Sequence, residues 1–421
     1  MNLIQLLIFF IYFLIGGFLL NRLTAKWKID LSNKWVWGLW SLKAMIGIFV
    51  ILIHIKYYPQ NDYLPLNQFG LLEYQNLIHH PGTFFTDWLH SPYANKYSGL
   101  FQSVGSYWND LRNTLLSKFI GIANLINRGN IYLNILIFCW IGFIGHLAFF
   151  RFFLQLFPSK KIPVLIGSFL LPSTLFFSSA LHKDTIIFTL MGCFLYVCLS
   201  VITNGWSIKR FFEFISCLLG LFLFRNFVCI VFVPFCLLWI WAERKELRAP
   251  VILGISMILL AIFLICADFY FPQWSPVNIL ADKQADYLNL PMTESSLDLQ
   301  KLEPDFKSLI QCLPMSLEHA FLRPFLWEDG RFLVTVSAIE IFLYQLMAVL
   351  LIFLFHRSPQ STSPGSIWFI VTMAVCLFLF AGYISPNTGT LVRYRCLYLP
   401  MLITPALCVI KWRNFGNRWS K

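Results

Sequence analysis

Apolar runs of about 18 residues or longer recur along the chain between short polar connections, and each is long enough to cross a hydrocarbon core of roughly 30 Å as a helix. They fall near residues 2–20, 37–55, 131–150, 162–181, 185–202, 208–224, 226–242, 250–271, 333–355, 367–384 and 396–410. The pattern predicts an all-α, polytopic transmembrane bundle of about ten or eleven spans, forming one integral membrane domain over residues 1–421. The count turns on 208–242, where Arg225 interrupts the apolar run and either two short helices or one kinked re-entrant pair fits. The short alternating segments of a membrane β-barrel are missing. Residues 2–20 read as a retained span, because basic residues follow the apolar run and no small-residue cleavage site appears.

Composition agrees with this pattern. The 421 residues are 58% hydrophobic and 12% charged, with 44 Phe and 15 Trp, against about 25% charged in soluble chains. The 11 Cys fall mostly inside apolar runs and form neither a disulfide framework nor a paired metal motif.

Charge sets the expected orientation. Lys and Arg concentrate in alternate connections: Arg22, Lys26, Lys28 and Lys34; Arg151, Lys160 and Lys161; Lys209 and Arg210; Arg244, Lys245 and Arg248; Arg357; and Lys411, Arg413, Arg418 and Lys421. Basic residues are retained in the cytoplasm, so this face is cytoplasmic, the N-terminus lies outside and the C-terminus inside. The net charge of +12 then belongs to membrane topology and does not signal a nucleic-acid partner.

Two long connections, about 57–130 and 272–332, fall on the extracytoplasmic face, and loops of this length are usually functional. In the first, Leu111, Leu115, Phe119, Ile122, Ala123 and Ile126 recur at helical spacing, with Asn109 or Asp110 as the expected N-cap. Such a helix either lies flat at the bilayer interface or packs on other loop residues. The second loop reads as disordered or irregular through LNLPMTESSLDLQKLEPDF, followed by short helices around 305–322; Arg323, Glu328 and Asp329 crowd where the chain re-enters the membrane.

Candidate chemistry collects at that outer boundary. LPSTLFFSSALHKDT places His182, Lys183 and Asp184 in a Pro, Ser and Thr-rich break. Charges beside a bilayer are costly and are usually paired or functional, although Asp184 also suits a helix N-cap. Arg225, Arg393 and Arg395 are cations at the same expected depth, suited to bidentate phosphate binding, with interfacial snorkelling as the alternative for the last two. Asp62 and Asp110 are the first candidates for a base, together with Asp184. Lys43 and Glu340 lie within spans, where snorkelling explains the first and a hydrogen bond to a neighbouring helix the second. No HExxH, Walker A, GxSxG or Rossmann pattern occurs, and adjacent His79 and His80 are poorly spaced as ligands, so no metal site is assigned.

The order of parts resembles bacterial polytopic envelope-glycan proteins, namely the lipid-sugar-dependent GT-C glycosyltransferases and, less closely, O-antigen or capsule polymerases. The residues that carry this are the long first outer loop with Asp62 and Asp110, the hairpin with Pro172, Ser173, Ser178, Lys183 and Asp184, the RPFLWE segment, and Arg393-Tyr394-Arg395. The chain departs from GT-C enzymes in starting outside and in offering its first outer acid after the second span. The resemblance implies a glycosyltransferase of the bacterial inner membrane whose partners are a polyprenyl-phosphate-linked sugar and a glycan acceptor. The lipid phosphate would sit on Lys183, Arg225, Arg393 or Arg395; no cofactor is required, although a divalent cation is compatible. The competing classes are a flippase of lipid-linked glycans and a non-catalytic assembly partner.

Overall fold

The computed structural model describes residues 3–58, 62–88, 106–270, 275–289, 295–328, 331–354 and 363–410. Asp329, Arg357, Lys411, Arg413, Arg418 and Lys421 lie outside the described residues. The chain is nearly all helical. Its first helices are α1 (Leu3–Lys26), α2 (Asn33–Tyr57), α3 (Tyr63–His79), α4 (Pro81–Thr86), α5 (Tyr107–Asn127) and α6 (Ile131–Leu156). Then come α7 (Lys161–Phe169), α8 (Pro172–Phe177), α9 (Lys183–Asn204), α10 (Ile208–Arg244), α11 (Ala249–Tyr270) and α12 (Pro276–Leu288). The last are α13 (Phe306–Gln311), α14 (Leu313–Phe321), α15 (Phe332–Leu354), α16 (Pro364–Ile384), α17 (Thr388–Arg395) and α18 (Leu399–Val409).

Among the described residues, eight helices are long and apolar enough to cross a membrane: α1, α2, α6, α9, the first part of α10 (Ile208–Cys229), α11, α15 and α16. The protein is therefore a multi-pass helical membrane protein. Two expected spans take other forms. Residues 162–181 form the short helices α7 and α8, because Pro172 cannot continue a helix and Ser173 and Thr174 after it favour a new start. Near 396–410 the helix α18 has only 11 residues. At 208–242 two helical segments meet at Arg225, whose φ of −155° and ψ of 75° leave the helical region.

The chain divides into two compact units, Met1–Arg151 with Thr174–Cys229, and Phe152–Ser173 with Ile230–Lys421. In the first, Gly16 and Gly17 let α1 lie against the rings of Trp37 and Trp40, and the Trp40 indole N–H donates to the Phe13 carbonyl at 2.9 Å. Gly145 and Gly192 bring α6 and α9 into backbone contact, the small-residue packing used between helices in lipid. Helices α2 and α9 run oppositely: the connections with Lys26, Lys28, Lys209 and Arg210 lie at one end, and Tyr57 and Lys183 at the other. At the basic end the Arg151 guanidinium lies over the rings of Trp27 and Tyr196, at 5.8 and 4.1 Å.

The first long connection is built around α3 and α5, packed along each other, with Ser106 as the N-cap of α5; its hydroxyl accepts from the Asn109 N–H at 3.2 Å. The expected caps, Asn109 and Asp110, instead occupy the first turn, since the helix begins at Tyr107.

In the second unit, residues 295–302 are ordered although irregular. The Leu297 N–H donates to Pro386 O (2.9 Å), the Thr388 N–H to Ser295 O (3.0 Å), and Gln284 holds Tyr383 O and the Leu302 N–H (both 2.8 Å). Leu280, Leu297, Leu302, Cys312, Ile384, Leu391 and Tyr394 bury themselves together there. Sequence periodicity could not anticipate this core, because its apolar residues come one or two at a time from separate short segments.

Candidate functional site

At the non-basic end of the first unit, the polar breaks between helices bring four of the expected residues together. His182 is the N-cap of α9, a position expected for Asp184, and its extended backbone starts the helix at Lys183. Its Nδ1 lies 2.8 Å from Asp184 Oδ2 and 3.3 Å from the Asp184 N–H. On the other edge of the ring, Nε2 lies 3.7 Å from Asp62 Oδ2. Asp184 Oδ1 in turn accepts from Arg225 Nη2 at 2.6 Å. The result is a continuous row, Asp62, His182, Asp184 and Arg225.

The row is graded in exposure: the Arg225 and Asp184 side chains are 4% and 1% exposed, His182 7%, and Asp62 61%. Asp62 precedes α3 without capping it. Nδ1 accepts from the Asp184 N–H, and Nε2 is the ring nitrogen turned toward the accessible side, where Asp62 lies. Buried Arg225 fixes Asp184, Asp184 fixes the imidazole, and the imidazole meets an open carboxylate. Such an arrangement can take a proton from a hydroxyl and hold the positive charge that results.

The Arg225 break is itself stabilised. Leaving the helical region strips carbonyls of the preceding turn of their intrahelical partners, and the Trp108 indole N–H donates to Leu223 O at 3.0 Å while Arg112 Nη1 reaches Phe224 O at 3.5 Å. Asp110 shares the first turn of α5 with Trp108. Lys183 is half-buried as the first residue of α9.

A second cluster of the same unit was not legible as chemistry. Lys43 is 1% exposed, so it does not snorkel. Its ammonium donates to Ser178 O (3.0 Å), Ser178 Oγ (2.9 Å) and Ser179 Oγ (3.2 Å). His146 Nε2 lies 2.9 Å from the same Ser178 Oγ. The signal was present, a Lys and a His inside apolar runs beside a Ser-Ser pair, but sequence spacing does not show that the three runs are neighbours.

The remaining candidates belong to the second unit. Arg395 is 1% exposed, and its Nη1 donates to the carbonyls of His319 (3.2 Å), Ala320 (3.0 Å) and Arg323 (2.5 Å). It thereby serves the carbonyls at the C-terminus of α14, a favourable place for a cation. Burial lowers its pKa to about 10. Arg323 pairs with Glu318 at 2.9 Å and Glu328 at 3.3 Å. Arg393 lies over the Tyr394 ring at 5.9 Å. Glu340 does bond a neighbouring helix as expected: its carboxylate accepts from the Ser173 N–H and hydroxyl at 3.1 Å and from the Tyr344 hydroxyl at 2.6 Å.

Among the described residues no group of three or more His, Cys, Asp and Glu side chains is arranged to hold a metal. The fold and these polar clusters define a multi-pass helical membrane protein whose first unit carries a polar row, buried at Arg225, Asp184 and His182 and exposed at Asp62. The chain matches no protein-family model, no characterised protein and no solved structure in the three comparisons made.

Proposed function

We propose that this protein is a membrane glycosyltransferase that takes a polyprenyl-phosphate-linked sugar or oligosaccharide as donor at the extracytoplasmic face, in the assembly of a bacterial envelope glycan. The row Asp62, His182, Asp184 and Arg225 carries this reading. It lies at the end of its unit away from the basic connections, which the positive-inside rule assigns to the outside. Eleven spans with the N-terminus outside and the C-terminus in the cytoplasm, in a bacterial inner membrane, fit that placement when the α7–α8 segment, the part of α10 after Arg225 and α18 each cross as well as the eight long helices.

In this reading His182 Nε2 removes the proton of an acceptor hydroxyl, with Asp62 orienting that hydroxyl. The hydroxyl oxygen bonds to the anomeric carbon, the bond from that carbon to the phosphate oxygen breaks, and the polyprenyl phosphate leaves with the electron pair. Asp184 and Arg225 act as positioning residues, while Lys183 is the cation offered to the leaving phosphate. The reading refines the sequence expectation, which drew the base from the carboxylates alone and gave Arg225 to the phosphate.

The test is analysis of lipid-linked and surface glycans in cells lacking the protein, complemented by wild type, H182A, D62A, D110A or R393A. Accumulation of an unextended glycan on lipid, rescued by wild type but not by H182A at equal expression, supports the proposal; unchanged glycans defeat it. A carrier of lipid-linked glycans is the second reading, favoured by Lys43 and His146 buried within spans, since intramembrane ionisable groups mark transport paths. Product formation by the purified protein from lipid-linked donor and acceptor separates the two.

A further inference from the structure

Helix α5 turns polar side chains inward, against α3 and α6, and an apolar stripe outward. The face of α5 turned to the protein carries Thr114, Ser117, Lys118, Asn124 and Asn127 beside Leu116, Ile120 and Gly121. After Asn113, the exposed residues within the helix are Phe119, Ile122, Leu125 and Ile126, 40–61% accessible. A helix standing in water solvates its polar side chains and buries its large apolar ones; α5 instead buries Lys118, Asn124 and Asn127 and exposes Phe119, Ile122, Leu125 and Ile126.

The seam is polar as well as close. Gly121 lies so near α3 that an added Cβ would stand 3.1 Å from the Glu73 carbonyl carbon and the Tyr74 nitrogen. Lys118 meets Glu73 at 3.3 Å within it and donates to Phe84 O at 2.6 Å. Asn134 of α6 donates to Asn67 (2.8 Å) and Asn124 (2.9 Å) and accepts from Asn127 (2.8 Å). Close small-residue contacts with side-chain hydrogen bonds hold helices together in lipid, where apolar burial between helices gives little drive.

Depth supplies an independent observation. The Phe119 ring lies 5.9 Å from that of Phe138, seven residues into α6 and so about 10 Å along its axis. At the other end of α5 the Trp108 ring lies 5.1 Å from Phe222, inside the apolar stretch Ile208–Cys229. α5 is thus packed beside apolar side chains of two helices that are long and apolar enough to cross the membrane.

We propose that the α3–α5 pair is embedded in the bilayer, with Phe119, Ile122, Leu125 and Ile126 covered by lipid acyl chains, so that this pair is a membrane element and not part of an aqueous loop. Hydropathy conceals this because the polar seam lowers the average of both helices below that of a span. The proposal does not depend on the catalytic reading. Asp62, directly before α3, then stands at the base of a lipid-facing element.

The test is photolabelling of the full-length wild-type protein in vesicles of phosphatidylethanolamine and phosphatidylglycerol containing a phospholipid with an acyl-chain diazirine. Peptide mapping reads where lipid attaches. Label on Phe119, Ile122, Leu125 and Ile126 of the same order as on Leu7 and Ile11 of α1 is the expected result. The idea is overturned if α1 is labelled while the stripe is bare and is instead modified by water-borne hydroxyl radicals. It also fails if the stripe is shielded from both reagents and cross-links to a second copy of the chain, which would make it a protein interface.

Discussion

Arg225 and Asp184 meet through a 2.6 Å charge-assisted hydrogen bond between side chains that are 4% and 1% exposed. Neither residue lies in a regular helix interior: one interrupts α10 and the other stands in the first turn of α9. Desolvating both ions is costly, so the pair is weak evidence for stability as such, but removing one partner leaves the other buried and uncompensated. R225M and D184L should therefore each destabilise the detergent-solubilised protein by about 3–5 kcal/mol, and the double variant by less than either alone. Unfolding midpoints of the four proteins measure this. A double variant as damaged as the sum of the singles would show that the two charges do not act as a pair.

Lys43 places its ammonium among three neutral oxygens of Ser178 and Ser179. K43M removes the donors and leaves those buried acceptors short of partners, at a cost of about 1–3 kcal/mol. S178A should cost less, because the Ser178 carbonyl and Ser179 hydroxyl remain to receive the ammonium. Thermal unfolding compares the two, and a K43M protein as stable as wild type would mean that the buried amine is dispensable to the fold.

Glycines give a test of opposite sign. A Cβ on Gly142 would stand 2.2 Å from the Ser178 carbonyl oxygen and 3.0 Å from the Lys43 ammonium, whereas a Cβ on Gly254 meets nothing within 4 Å. Both lie inside long helices. G254A should stabilise by up to about 1 kcal/mol through the helical preference of Ala, and G142A should destabilise by about 1–3 kcal/mol because backbone must move. Equal shifts in melting temperature would contradict the close contact of α6 with the Ser178 turn.

Burial, with the charge of Arg323 adding to it, holds the His319 imidazole below its ordinary pKa of 6.5. The unfolded chain takes up this proton as pH falls through about 6.5, while the folded chain resists it, so folding free energy declines from there down toward the lowered folded value. H319Q should flatten that part of the stability profile, below about pH 6.5. A wild-type profile with the same acid slope as H319Q would assign the sensitivity to other groups.

How much of this was readable follows from the range of the interactions. Apolar runs such as 2–20 and 250–271 dictate their helices locally, since about 20 apolar residues have no other way to satisfy backbone groups in lipid. Arg225 was readable as an interruption, because one charged residue splits an otherwise apolar stretch. What it pairs with was not, because its partner lies 41 residues away along the chain. The apolar stripe of α5 was legible from its spacing, but the side on which the protein lies depends on Asn67, Glu73 and Asn134, which come from other helices. The failure at 162–181 has a local cause: average hydropathy outvoted Pro172, although that proline ends any helix arriving from α7.

Transfer chemistry at His182 makes the last prediction. The imidazole touches Asp184 on one edge and faces Asp62 on the other, so a proton delivered to Nε2 is stabilised by two carboxylates. H182A should lower the rate of transfer from a polyprenyl-phosphate-linked sugar by about 10²- to 10⁴-fold, the range typical of a lost general base. D62N keeps the shape of the side chain but removes its charge, and should lower the rate by less than H182A does. Membranes containing each variant at matched expression, assayed with donor and acceptor across a pH series, provide the comparison. Full activity in H182A would remove His182 from the chemistry and return the role of base to Asp62 or Asp110, whose alanine variants, assayed in the same series, would then be the ones to fail.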